Sequence, residues 1–179
     1  MRNLTVMAAL LLSFAPFAAS AADGTITFNG KVTSKTCTVS TPAGKNFTVT
    51  LPTVSTTSLA VAGAVAGRTP FSVSLTGCAA GNVATYFEPG ATVDFNSGRL
   101  LNQASSNSAG NVQIQLLGSN SSFLPVLASG SGQTQTNSQW VQVASDGSAN
   151  LNYYAEYYAT AAASAGDVTS SVQYTLIYN

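Results

Sequence analysis

The chain of 179 residues has no histidine, and only 7% of its residues are charged, six basic and six acidic. Without histidine it lacks the usual general base and the most common zinc ligand. We interpret Glu88 and Asp94, two acidic residues that one turn can bring together, as solvated surface groups. No stripe of basic residues marks a surface for nucleic acid or an anionic membrane. The sequence therefore predicts a protein that is not an enzyme, uses no cofactor or metal ion, and has no nucleic-acid partner.

Long apolar runs are also missing, except for one near the start of the chain. Residues 4–15 are apolar, a short positively charged start precedes them, and an Ala-Ser-Ala triplet follows. This order is typical of a secretory signal peptide, and the run is too short for a membrane span. We predict a signal peptide over residues 1–21, cleaved before Ala22, with cleavage before Asp23 as the alternative. The mature chain is then secreted, with no direct membrane insertion.

The chain has only two cysteines, Cys37 and Cys78. An even number of cysteines in a secreted chain predicts one disulfide, and a pair of free thiols is the alternative. The bond would close a loop of about 42 residues and, in the chain-entropy model, stabilise the fold by about 4 kcal/mol.

The apolar residues that are present alternate with polar ones in short segments. Residues 23–32 read DGTITFNGKV, in which Ile26, Phe28 and Val32 share one face. Gly30 takes the remaining position on that face. A period of two predicts an extended strand with one buried side.

Further short segments are bounded by turn residues and are also predicted as strands. They are residues 36–40, 47–51, 71–75, 83–87, 92–95, 112–116, 123–127, 140–143, 151–157 and 172–178. Between them we expect irregular chain or weak strand over residues 59–67, polar loops over 103–111 and 130–138, a loop over 159–165, and a hairpin turn at Asp146-Gly147. This spacing predicts a single domain with an all-β sandwich fold.

Tyrosines are concentrated in one predicted strand near the end of the chain. They are Tyr153, Tyr154, Tyr157 and Tyr158. Such a cluster can stack on sugars, but alternation along a strand places half of these rings in the core. We therefore interpret them as core-filling residues.

Motifs at both ends of the predicted mature chain carry a family resemblance. Near the start, Phe28, Gly30 and Val32 follow one another at intervals of two, Cys37 comes five positions later, and Cys78 is its partner. The run ADGTITFNGKV is similar to the N-terminal extension of minor type 1 pilus subunits.

At the far end of the sequence, Gly166 is the fourteenth residue from the last, an alternating apolar strand follows, and Tyr178 is penultimate. Residues 157–160, Tyr-Tyr-Ala-Thr, look like the segment that precedes this strand in the same family. Taken together, the two ends resemble the subunits of chaperone–usher pili, the type 1 fimbrial family.

The resemblance implies an incomplete immunoglobulin-like sandwich (the pilin fold) that is completed by a donated strand. The strand comes first from a periplasmic chaperone and then from the N-terminal extension of the next subunit, a form of strand addition. Residues 22–35 are then the donor-strand extension, and residues 36–179 are the pilin domain. The expected donor positions are Ile26, Phe28, Gly30 and Val32. The residues expected to border the groove and contact the chaperone are Gly166, Val172, Tyr174, Leu176 and Tyr178.

The resemblance also implies partners and a location. The partners are neighbouring pilus subunits, the periplasmic chaperone and an outer-membrane usher, and the chain passes through the periplasm to an extracellular fimbria on the bacterial surface. The implied function is a structural subunit of an adhesive fimbria that contributes to cell adhesion. Because the chain has a strand to donate, we expect a shaft or adaptor subunit and favour the shaft. The alternative is a self-contained secreted β-sandwich that acts as a carbohydrate-binding or adhesive module.

Overall fold

The computed structural model describes residues 23–128 and 134–179. The predicted signal peptide and the first part of the predicted loop 130–138 therefore lie outside the described residues. The chain divides into two units, residues 1–32 and residues 33–179, and each is described separately.

The second unit consists of β-strands joined by loops. Its strands are β1 (Thr38–Val39), β2 (Val65–Thr76), β3 (Asn82–Glu88), β4 (Val93–Asp94), β5 (Arg99–Leu101), β6 (Val112–Gly118), β7 (Phe123–Leu124), β8 (Val141–Gln142), β9 (Ala149–Ala159) and β10 (Gln173–Tyr178). The only helix in the described part of the chain is a 3-10 turn, Thr56–Leu59, and it is too short to cross a membrane.

The strands form two antiparallel sheets. The larger sheet has the order β1-β2-β9-β6-β5-β4, with β7 also paired to β6, and the smaller sheet has the order β10-β3-β8. The longest pairings join β2 to β9 and β9 to β6. In the smaller sheet, β10 pairs with β3 along its whole length, whereas β8 pairs with only two residues of β3.

The core lies between the sheets, where alternate residues of β2, β9 and β6 meet those of β3. Val73, Leu151 and Tyr153 are almost completely buried. The Tyr153 ring stacks on Phe71 at a centroid distance of 5.5 Å, and meets Phe87 edge-on at 5.2 Å. Burial raises the pKa of the Tyr153 hydroxyl, which accepts a hydrogen bond from Thr85. Aromatic packing therefore joins the two sheets at the centre of the sandwich.

Most predicted strands are confirmed, and the tyrosines of β9 alternate between the two faces as expected. Tyr153 is buried in the core, and Tyr154 is on the opposite face. The structure adds β5, which the sequence analysis did not identify. In residues 59–67, β2 begins only at Val65.

One local prediction is wrong in part. A turn does occur at Asp146-Gly147, where the Gly147 N–H donates to Ala144 O over 2.9 Å. It is not a hairpin turn, because β8 belongs to the smaller sheet and β9 to the larger one. The chain changes sheets at this turn, which the turn residues themselves do not encode.

Candidate functional site: an open groove at the edge of the sandwich

In residues 33–179, a groove of about 1080 Å³ runs beside β10. One side is formed by residues 170–176, and the other by residues 45–51, which we call the edge segment. The edge segment carries no strand pairing, although its alternation predicts a strand. Phe47, Val49 and Leu51 are half-buried and line the groove, and Phe47 and Leu51 pack against the core, while the residues between them are exposed. The edge segment is thus an extended chain whose sheet partner is absent from the described residues.

The floor of the groove is made of core side chains. Seven of them reach it from five strands of the two sheets: Phe71, Val73, Phe87, Leu100, Ile114, Leu116 and Ala155. In a complete sandwich, such residues are covered by the strands on both sides. The groove therefore has the floor of a hydrophobic core, and no strand of the described part of residues 33–179 covers it.

The main chain of β10 presents unpaired groups to this groove. Tyr174 lies opposite Phe87, and the Phe87 N–H and C=O bond to the Gln135 side chain, away from β10. In an antiparallel ladder, both residues of such a pair direct their N–H and C=O groups away from each other. Tyr174, and by alternation Leu176 and Tyr178, therefore point their main-chain groups to the open edge. Within the described residues, β10 pairs only with β3.

Two tyrosines of β10 reach the chain on the other side of the groove. The Tyr174 hydroxyl donates to the Lys45 carbonyl oxygen over 3.0 Å, and the Cys37 N–H donates to the Tyr178 hydroxyl over 3.1 Å. Burial raises the pKa of Tyr174. These two hydrogen bonds link the two sides of the groove directly.

Cys37 and Cys78 form the predicted disulfide, with a sequence separation of 41 residues. The bond joins the chain just before β1 to the chain just after β2. β1 pairs with β2 through only two residue pairs, so main-chain hydrogen bonds hold this part of the chain weakly. The disulfide is therefore the main restraint on the chain that leads into the edge segment.

The residues expected to border the groove do not all lie there. Val172, Tyr174 and Leu176 line it, and Tyr178 packs against the same core cluster. Gly166 instead lines a separate cavity of about 710 Å³. It has φ of 154°, and a Cβ on it would lie 2.5 Å from the Ala109 nitrogen. Gly166 is therefore needed for a close approach to a neighbouring loop.

In residues 23–32, the predicted donor positions are fully exposed. The exposed fractions of Ile26, Phe28 and Val32 are 80%, 88% and 100%, and a Cβ on Gly30 would meet no atom within 4 Å. No residue of this segment belongs to a strand of either sheet. The segment therefore exposes large apolar side chains, which folded proteins normally bury unless a partner covers them.

The outward face of the larger sheet carries a buried acid. Glu156 is 2% exposed, and its carboxylate accepts from Arg68 Nε over 2.7 Å and from Gln115 Nε2 over 2.6 Å. The hydrogen bond that Arg68 donates to Glu156 raises the pKa of Arg68. Arg99 Nε donates to Gln115 Oε1 over 3.0 Å, and the Arg99 guanidinium stacks on the Tyr158 ring at 3.6 Å. Both carboxylate oxygens are satisfied, so the pair is a structural feature of the sheet.

Glu88 and Asp94 do not act as a pair. Asp94 Oδ2 accepts from Gln113 over 3.0 Å and from Ser97 over 2.8 Å, and these bonds lower the pKa of Asp94 to about 2. Glu88 accepts from Thr175 over 2.6 Å. Each carboxylate therefore stabilises local structure.

An all-β sandwich with a strand-length gap in its core defines a pilin of the chaperone–usher type, an incomplete immunoglobulin-like fold. Solved structures agree on this fold. The chain is similar to a subunit of a chaperone–usher pilus (TM-score 0.60, 21% identity, 92% of this chain and 100% of that one). It is also similar to the P pilus rod subunit PapA (TM-score 0.58, 18% identity, 80% of this chain and 99% of that one).

Sequence comparisons give the family. Residues 51–179 match the family model described as type-1 fimbrial protein, A. The chain is 75% identical over 169 residues to the major fimbrial subunit SMF-1 of Stenotrophomonas maltophilia, covering 94% of this chain and 100% of that protein. It is 45% identical over 184 residues to the F17 fimbrial protein of Escherichia coli, covering 99% of each. The chain therefore belongs to the type-1 fimbrial protein family: it is a structural subunit of extracellular fimbriae, and it is not an enzyme.

Proposed function

We propose that this subunit polymerises by donating residues 22–35 to the groove of the next subunit, whose acceptor domain is residues 36–179. The observation that carries the proposal is the open groove, with an apolar floor and unpaired main-chain groups along β10. A strand placed there pairs with β10 on one side and with the edge segment on the other. The self-contained sandwich is disfavoured, because within the described part of residues 33–179 no strand covers the apolar floor of the groove or pairs with the open edge of β10.

The donor segment and the groove have complementary side chains. Ile26, Phe28 and Val32 present one apolar face, and the groove floor is apolar. Phe28 is 88% exposed, so its burial transfers nearly a whole aromatic side chain out of water. Full burial of such a side chain is worth about 1.5–3 kcal/mol. Gly30 suits a position where the donor backbone passes close to the acceptor, since it adds no side chain there.

Main-chain pairing supplies the second part of the attachment. The N–H and C=O groups of Tyr174, Leu176 and Tyr178 face the gap, so each of these residues can exchange two hydrogen bonds with a donated strand. Each bond contributes about 1 kcal/mol net. Because these bonds involve only the backbone, they add affinity without selecting a sequence, while the alternating side chains set the register.

Before assembly, the same groove must be covered by another strand, and we assign that role to a periplasmic chaperone. The subunit is then exported through the periplasm after cleavage of residues 1–21, and it passes to an outer-membrane usher. The chain is assigned as a shaft subunit that contributes to adhesion through the fibre. Its similarity to a relative named as a major fimbrial subunit supports the shaft assignment.

A charge placed on one face of the donor segment tests the proposal. In the full chain produced with its assembly system, Phe28→Asp puts a carboxylate into the apolar groove and is expected to abolish fimbriae seen by electron microscopy. Asn29→Asp is the matched control, because it adds the same charge one position away, on the opposite face of the strand.

Two further results make the test specific. The Phe28→Asp subunit should still bind its chaperone, because its own groove is unchanged. Normal fimbriae with Phe28→Asp, or equal loss with both variants, would refute the donor assignment.

A further inference from the structure

The smaller sheet has a second edge, on the side of β3 that faces away from β10. There β8 covers β3 only at Asn82 and Val83. At Phe87 the edge of β3 is met by a side chain, that of Gln135. Gln135 lies within the predicted polar loop, but it is only 4% exposed.

The Gln135 amide makes the pair of bonds that a strand residue makes. The Phe87 N–H donates to Gln135 Oε1 over 2.8 Å, and Gln135 Nε2 donates to the Phe87 carbonyl oxygen over 2.7 Å. The second amide proton of Gln135 reaches the Leu127 carbonyl oxygen at 3.2 Å. A residue in a hydrogen-bonded antiparallel pair exchanges the same two bonds with its partner. Gln135 thus closes this edge as a single-residue substitute for a strand.

Gln135 and the groove lie on opposite sides of the same row of residues. Gln135 holds the main chain of Phe87, Phe87 lies opposite Tyr174, and the main chain of Tyr174 faces the groove. The Phe87 side chain is itself part of the groove floor. Any shift of Phe87 is therefore transmitted both to the floor and to the strand that receives the donor.

We infer that Gln135 is a positioning residue for strand donation, which fixes the Phe87–Tyr174 row from behind and confines strand addition to the β10 edge. This inference rests on the proposed function. Without the amide, the Phe87 N–H and C=O are left buried and unpaired, a state that favours local opening of β3. The donated strand then pairs with a β10 that is less firmly held.

Gln135→Met tests this, because methionine is similar in length and cannot replace the hydrogen bonds. Gln113→Met is the matched control: Gln113 is also a buried glutamine, 9% exposed, but its amide bonds Asp94 on the larger sheet. Both variants are made in the full chain and assembled into fimbriae. Amide hydrogen exchange is then followed by mass spectrometry in three segments: residues 83–88, the donor residues 23–32, and β9.

We expect Gln135→Met to accelerate exchange about tenfold in residues 83–88 and in the donor segment, with β9 unchanged. Gln113→Met should leave the first two segments as they are in the native fimbria. A uniform acceleration of all segments, or one limited to residues 83–88, would give Gln135 a purely structural role and overturn the inference. A donor segment that exchanges freely in the native fimbria would instead refute the proposed function, and this inference with it.

Discussion

Removal of the disulfide is expected to reduce both the stability of the domain and the order of its groove. Cys37 and Cys78 are separated by 41 residues, so the bond closes a loop of about 42 residues in the unfolded chain. The chain-entropy relation gives about 4 kcal/mol for that loop. This is a large fraction of the roughly 5–15 kcal/mol that stabilises a typical domain.

The effect should be greatest at the edge segment, because few contacts hold the chain between Cys37 and residue 51. They include the two residue pairs of β1, the Ser40 N–H bond to Ser74 at 2.8 Å, and the bonds to Tyr174 and Tyr178. Without the disulfide, one side of the groove loses its covalent link to β2. A donated strand would then have only β10 as a firm partner.

The assay is guanidinium unfolding of the full chain with Cys37→Ala and Cys78→Ala. Phe28→Asp is present in both this variant and its reference, so that both remain unpolymerised. With a denaturant slope of about 4 kcal/mol per M for a chain of this size, the loss of about 4 kcal/mol lowers the midpoint by about 1 M. A decrease below about 0.2 M would refute the loop-closure reasoning.

Three further predictions concern residues outside the groove. The pKa of Asp94 in the folded protein is about 2, against an ordinary 3.8, so the ionised Asp94 stabilises the fold fully above pH 4, and this stabilisation is lost as the pH falls through about 2. Asp94→Asn should therefore flatten the fall in melting temperature between pH 4 and pH 2. An unchanged slope would contradict this. Arg68→Met leaves the buried Glu156 carboxylate without its cation and should lower the free energy of unfolding by about 3 kcal/mol. Adding Glu156→Leu to this variant should recover most of the lost stability. No recovery in the double variant would argue against the ion pair as the cause. Gly166→Ala should lower the free energy of unfolding, measured by thermal unfolding, by about 2 kcal/mol, because the positive φ of Gly166 and the nearby Ala109 main chain leave no room for a Cβ. An unchanged stability would exclude this strain.

Alternation in the sequence predicts which side chains point inward, but it does not predict their partners. Phe47, Val49 and Leu51 are confirmed as a half-buried row that faces the groove, yet the edge segment pairs with no strand of the described part of residues 33–179. The reason is physical: a strand needs main-chain partners, and an alternating pattern specifies a face and not a neighbour. The same limit explains the turn at Asp146-Gly147, which was predicted locally although its flanking strands belong to different sheets.

The residues that form the groove and support it could be identified only from the structure. Gly166 carries the family motif, but its role in a close loop contact depends on residues more than fifty positions away in the chain. Gln135 lies among serine, threonine and asparagine residues, and nothing in that composition indicates that its side chain is buried. A buried polar side chain is identified by its hydrogen-bond partners, and Phe87 is distant in sequence.

The most direct test of the account is the structure of the assembled fimbria by electron cryomicroscopy. We expect residues 25–32 of one subunit to lie as a strand between β10 and the edge segment of the next, with Phe28 over the apolar floor. The Tyr174, Leu176 and Tyr178 main-chain groups should then be hydrogen-bonded to this strand. A groove filled by a segment of its own subunit, or left open in the fimbria, would contradict the account.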